Sequence, residues 1–147
     1  MLLELLGTPA SVTLSTGFPV EGLEGAEDCI TLDISGDDLG ILIGRQGQTL
    51  VSLQYLVRLI VYQRMQTRLP IIVDVEGYKR RRCETLRALA WRVAEQVSVR
   101  RMPFALEPMS AFDRRIIHLA LADHTDVTTE STGIGEMRKV VVLPKDG

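Results

Sequence analysis

The stretch that most restricts this chain is Gly40 to Tyr62, GILIGRQGQTLVSLQYLVRLIVY. Gly44, Arg45, Gln46 and Gly47 lie between an apolar turn (Ile41, Leu42, Ile43) and a long apolar segment. A glycine at each end lets the backbone approach a ligand with no Cβ in the way, and a helix starting directly afterwards aims its unpaired N–H groups at the same spot. That geometry suits a phosphate. The helix is predicted from Gln48 to about Met65. Leu50, Leu53, Val57 and Ile60 form one stripe, and Val51, Tyr55, Leu59 and Tyr62 a second, so the helix is expected to be covered twice. One cover should be a sheet. The other is either the basic segment downstream or a second subunit.

Around this stretch the chain alternates between extended and helical patterns. Residues 2–6 read as a short helix ended by Gly7 and Pro9, Ser11 to Ser15 as a strand, and Thr16 to Asp28 as an exposed turn. Cys29 to Ser35 reads as a half-buried strand with Ile30, Leu32 and Ile34 inward and Thr31 and Asp33 outward. Gly36, Asp37 and Asp38 are expected to cap a one-turn helix from Leu39 to Ile43. Ile71 to Val75 is a third strand. Tyr78 to about Arg101 is a helix with Leu86, Ala90, Val93 and Val97 at helical spacing. Its first turn carries Lys79, Arg80, Arg81 and Arg82 against the helix dipole. Phe104 to Glu107 is a short strand. Ser110 caps a helix from Ala111 to Ala122, with Asp113 as the capping-box acid and Phe112, Ile116, Leu119 and Ala120 buried. Two more strands, Val127 to Ser131 and Arg138 to Leu143, flank a tip at Thr132 to Glu136.

Charge is distributed unevenly. Residues 1–76 hold 4 basic and 10 acidic side chains, and 77–147 hold 13 and 9. Gly77 to Arg101 alone holds 8 basic against 2 acidic, which fits a polyanionic partner or a solvated helix face equally well. In 147 residues no run of apolar residues is long enough for a membrane span, and MLLELLG has no basic n-region, so a cytoplasmic protein is expected. Cys29 and Cys83 stand apart without a CxxC or Cys/His cluster. Reduced thiols are expected, and no metal or cofactor.

A Gly-x-x-Gly alone is weak, but its context of strand, acidic turn, apolar turn, Gly-Arg-Gln-Gly, apolar helix and strand resembles a type II K-homology (KH) domain. That resemblance implies a three-stranded sheet with helices on one face, the loop backbone clamping unpaired nucleotides and an apolar groove receiving their bases. Carried over, Ile43, Gly44, Arg45, Gln46, Gly47, Gln48 and Leu50 are the binding positions, with Lys79 and Arg80 beyond them. A second motif, Arg114-x-x-x-His118, places both side chains on one helical face. With Leu106-Glu-Pro-Met109 before it and the run from Val127 to Val142 after it, it resembles the R-three-H domain, which binds single-stranded nucleic acid. Thr129, Ser131, Gly133, Arg138 and Lys139 match positions beside that signature. His118 either addresses the ligand or hydrogen-bonds within the fold.

The order of the two motifs resembles the Jag family (KhpB, SpoIIIJ-associated protein) of bacterial RNA-binding proteins. The implied class is α+β: a KH unit at 1–76, a basic connecting helix at 77–102 and an R-three-H unit at 103–147. The resemblance implies a regulator or chaperone of single-stranded RNA, linked in the family to cell elongation and division. It leaves single-stranded DNA open as a ligand and a homodimer, or a heterodimer with another small KH protein, open as an assembly. Many family members carry an N-terminal domain ahead of a linker that is not seen here, and a second basic residue in the loop where this chain has Gln46. No nucleophile or carboxylate stands in a convincing arrangement with His118 or His124, so no enzyme is expected. The other reading is a protein-interaction module acting through the doubly apolar helix.

Overall fold

Alternating apolar and polar residues place one set of side chains on each face of an extended chain, and both early alternations are strands. The computed structural model describes residues 10–17 and 28–146, so the helix expected at 2–6 and most of the turn after Thr16 lie outside the described residues. Strand β1 (Ala10–Thr16) runs antiparallel to β2 (Ile30–Gly36), with Val12 opposite Ile34 and Leu14 opposite Leu32. Strand β3 (Ile71–Val75) runs parallel to β2, giving the sheet order β1-β2-β3. A parallel pair needs a crossover, and the Gly40 to Tyr62 stretch lies within it. It forms α1 (Gly40–Ile43), a 3-10 turn (Arg45–Gly47) and α2 (Gln48–Met65).

These elements share one core of Ile34, Leu39, Leu42, Leu50, Leu53, Ile71, Val73 and Val75. Each such side chain contributes roughly 1.5–3 kcal/mol of burial before ordering costs. Two local expectations fail. Thr31 is buried rather than outward, its hydroxyl donating to Gly17 O at 2.6 Å. Asp37 and Asp38 do not cap α1, whose start has no side-chain cap. Instead Asp38 adopts φ 55°, a left-handed turn that Asp tolerates, and Leu39 drops into the core.

On α2 the inner stripe shifts at its far end. Val61, four residues after Val57, packs on the core, whereas Ile60 is exposed. The second stripe, Val51, Tyr55, Leu59 and Tyr62, stays at the surface of the single chain. Gln54 and Arg58, one turn apart on α2, close the outer edge of β3. Val73 N donates to Gln54 Oε1 at 3.0 Å, and Arg58 Nε donates to Ile71 O at 2.7 Å. Covering an edge strand in this way blocks pairing with another chain.

The chain divides into the units Met1–Arg80 and Arg81–Gly147, and helix α3 (Tyr78–Arg100) runs from the first into the second. Its cationic first turn is offset by the buried Asp74 carboxylate, whose Oδ1 accepts from Val75 N at 2.9 Å and Lys79 N at 3.0 Å. Burial outweighs these hydrogen bonds and raises the Asp74 pKa. In the second unit α3 buries Cys83, Leu86, Ala90, Val93, Ala94 and Val97. Neither Cys83 nor Cys29 is in a disulfide.

The second sheet has the order β4-β6-β5, built from β4 (Phe104–Ala105), β5 (Val127–Thr132) and β6 (Lys139–Pro144), all antiparallel. Helix α4 (Ala111–Leu121) packs on β5 and β6. Ser110 Oγ caps it by accepting from Asp113 N at 3.2 Å. The buried face is Asp113, Ile116, Ile117 and Leu121; of the expected set Ile116 is buried, Phe112 and Ala120 are half-buried and Leu119 is exposed. The Asp113 side chain lies within this face, where it meets Arg82 at 3.0 and 3.1 Å and is also hydrogen-bonded by Ser110.

Candidate nucleic-acid interface

In the first unit the loop owes its shape to backbone angles that most residues avoid. Gly44 has φ 72° and ψ −175°, Gln46 φ 54° and Gly47 φ 78°. The Gly44 combination is essentially restricted to glycine. Arg45 and Gln46 are exposed at the turn, Gln48 is exposed at the start of α2, and no side chain caps that helix. Gln48 N turns back to Arg45 O and Gly47 N to Gly44 O, so it is the N–H groups following Gln48, with no side-chain cap, that form a donor set suited to an anion. Tyr78 packs beneath Gly47: a Cβ there would come within 2.9 Å of its ring.

The remaining candidates of this unit separate. Ile43 is half-buried beside the loop, whereas Leu50 is 1% exposed and lies in the core. Lys79, expected to face a ligand, is 8% exposed, with Nζ donating to Gln54 Oε1 at 2.6 Å. Arg80 is exposed. The first 76 residues are acidic in sum, yet 39–73 contains Arg45, Arg58, Arg64 and Arg68 and no acid. A windowed charge count would have found this in the sequence.

In the second unit Arg114, His118, Thr129, Ser131 and Arg138 come together. Thr129 and Ser131 point to the same face of β5, where Thr129 Oγ1 lies 2.6 Å from His118 Nδ1 and Ser131 Oγ 2.7 Å from His118 Nε2. The ring therefore ties α4 to β5, the internal alternative raised for it above. Arg114 Nε donates to Met109 O at 3.3 Å, and Arg138 Nη1 donates to Gly133 O at 2.8 Å across the hairpin tip. Lys139 pairs with Thr132 at the start of β6.

Burial lowers the His118 pKa from its ordinary 6.5, and Arg114 and Arg138 lower it further. A depressed folded pKa means that the native chain binds fewer protons than the unfolded one, so stability is present above about pH 6.5 and falls as pH drops through the folded value. Urea midpoints followed from pH 7.5 to about 5.5 are expected to decline in the wild type and to flatten in His118→Gln. Parallel curves for the two proteins would remove His118 as the titrating group.

Sequence reasoning missed the Arg82–Asp113 pair, the Tyr78 ring under Gly47 and the Asp74 carboxylate at the start of α3. Only the last had a local signal, an acid placed shortly before the run Lys79 to Arg82. Among the described residues no group of three or more His, Cys, Asp or Glu gathers to hold a metal, and no helix is long and apolar enough to cross a membrane.

Comparison with known proteins follows the same division. The model for the KH domain of KhpA and KhpB matches residues 5–73, and the R-three-H domain model matches residues 84–144. An RNA-binding protein KhpB from Clostridium symbiosum is 43% identical over 116 residues, 79% of this chain and 52% of that protein. The RNA-binding protein KhpB of Bacillus subtilis is 34% identical over 125 residues, 84% of this chain and 60% of that protein. That of Lactiplantibacillus plantarum is 36% identical over 112 residues, 76% and 35% of the two chains. The chain thus spans between about a third and three fifths of the length of these relatives.

Proposed function

Because the chain belongs to the Jag (KhpB) family, with a KH and an R-three-H domain, we propose that it binds single-stranded RNA at two places. The observation that carries this reading is the loop Gly44 to Gly47, in which Gly44 adopts a backbone conformation essentially restricted to glycine and which leads into a helix with no side-chain cap. The Arg45 side chain and the backbone amides of Arg45 and Gln46 hold the sugar-phosphate chain, the Gly44 and Gly47 amides being bonded within the turn, and bases dock beside Ile43. In the second unit Arg114, Arg138 and Lys139 meet phosphates, while His118, Thr129 and Ser131 hold the surface that presents them. Two sites on one chain raise affinity through effective concentration when the RNA spans both. Single-stranded DNA would fit the same contacts. The protein works without catalysis in the cytoplasm, as a post-transcriptional regulator or RNA chaperone serving cell elongation and division.

Replacing Arg45 and Gln46 together by Asp tests the loop. The double variant, checked for folding by circular dichroism, is expected to bind a mixed RNA pool at least about tenfold more weakly, since like charge now meets the phosphates. The wild-type log–log salt slope should be steeper than about −2, the value for three phosphates on a single strand. Unchanged affinity in the double variant would take the loop out of the mechanism.

A second reading is favoured by one observation, the exposed stripe Val51, Tyr55, Leu59 and Tyr62 on α2. An apolar helix face of that length serves association with a second copy or another small KH protein. Light scattering is expected to find dimers that Leu59→Asp dissolves, and monomers at every concentration would exclude self-association.

A further inference from the structure

Trp91, the sole tryptophan of the chain, stands 54% exposed on α3 in the second unit, away from the residues assigned above. Its ring lies against His124, with centroids 5.1 Å apart and planes inclined at 50°. The imidazole is fixed in turn. His124 Nδ1 accepts from Asp126 N at 3.1 Å, which places the proton of the neutral ring on Nε2. Asp126 Oδ2 accepts from Ser98 Oγ at 3.1 Å, two turns along α3 from Trp91. Lys145 closes the corner: its Nζ donates to His124 O at 2.7 Å, its N donates to Asp126 O at 2.8 Å, and its carbonyl accepts from Arg101 Nη2 at 2.5 Å.

The outcome is a large aromatic ring propped by a second ring, with an ammonium at the same corner. Arg87 lies one turn before Trp91 on α3 and Glu95 one turn after, so this helix face carries one charge of each sign and the Lys145 ammonium adds a cation at the corner. An apolar protein partner would need a contiguous patch, whereas Ala88 and Ala94 beside Trp91 on α3 offer little apolar area. A propped ring with a nearby cation is instead the arrangement on which a base stacks while its phosphate meets the charge. The geometry points to a nucleobase-stacking site at Trp91 and His124, taking one base of a single-stranded RNA, with Lys145 near its phosphate. This site rests on the RNA-binding reading but uses none of the residues that reading assigns.

Trp91 reports on its own site, since no other tryptophan emits. The full chain is titrated with a short oligoadenylate and, separately, with inorganic polyphosphate, while a labelled oligoadenylate follows binding by anisotropy. The expected result is quenching of Trp91 emission by oligoadenylate but not by polyphosphate. Trp91→Ala should weaken binding by about 5- to 150-fold, the range for loss of one stacked base. Trp91→Phe should restore most of it, and failure to do so would assign the loss to the fold and overturn the site. Binding with no change in emission, equal quenching by polyphosphate, or wild-type affinity in Trp91→Ala would each overturn the site while leaving the RNA reading intact. No binding of oligoadenylate by the wild type would overturn both.

Discussion

Asp113→Ala is expected to lower the stability of the second unit by about 3 kcal/mol, a fall in its melting temperature of about 12 to 24 °C for a unit of this size. Asp113 is 3% exposed and is the acid that Arg82 meets, so its removal strands a guanidinium whose side chain is only 21% exposed. The pair is not itself a large source of stability. Burial raises the Asp113 pKa above its ordinary 3.8 in spite of Arg82 and Ser110. With the folded value above the unfolded one, the native chain binds more protons in that interval. This group therefore makes the fold less stable as pH rises through the interval, and its full cost is present at neutral pH. Arg82→Met combined with Asp113→Leu should accordingly recover most of what Asp113→Ala loses. Wild-type melting in Asp113→Ala would show that the pair does not hold α3 and α4 together.

Gly44→Ala is expected to harm RNA binding as much as replacing both loop side chains by Asp. A Cβ at Gly44 would lie 2.8 Å from Thr49 Cβ and 2.9 Å from Thr49 N, and the second of these is backbone that cannot step aside. Adding strain of about 1–3 kcal/mol for the dihedral angles, the loop must open, and affinity should fall at least about tenfold with the rest of the unit folded. Gly47→Ala should be milder. Its left-handed φ costs roughly 1–2 kcal/mol, and its obstacle is a side chain, the Tyr78 ring, rather than backbone. Filter binding of one labelled RNA to both variants checks the order, and equal affinity of Gly44→Ala and wild type would mean that the loop shape is immaterial.

Most of the elements were legible because their signals are local. Residues Gln48–Met65 and Ile71–Val75 carry periodicities that nothing else in the fold contests, and the helix and strand take those bounds. Ser110 stands where a cap is needed and caps. The misreadings arise where a long-range partner decides. Thr31 alternates like an outward residue, but the carbonyl of Gly17 draws it in. Lys79 belongs to a run of cations, but Gln54, 25 positions earlier, claims it. Asp113, on a face expected to be apolar alone, is buried where it meets Arg82, 31 positions away. Of the candidate site, the loop was legible from its glycines, whereas the bonding of both His118 nitrogens depends on how β5 pairs with β6 and how α4 lies on them.

Gln54 has a consequence for the motions of the first unit. Its Oε1 receives both the Val73 amide and the Lys79 ammonium, so one side chain of α2 ties down the rim of β3 and the beginning of α3. An amide on the rim of a sheet ordinarily exchanges its hydrogen with water after a slight fraying of the strand. The hydrogen of Val73 is instead held until the Gln54 side chain lets go of both partners, so its exchange is expected to be slowed. Of the two rim strands of this small sheet, β3 is thereby expected to fray less readily than an unguarded edge.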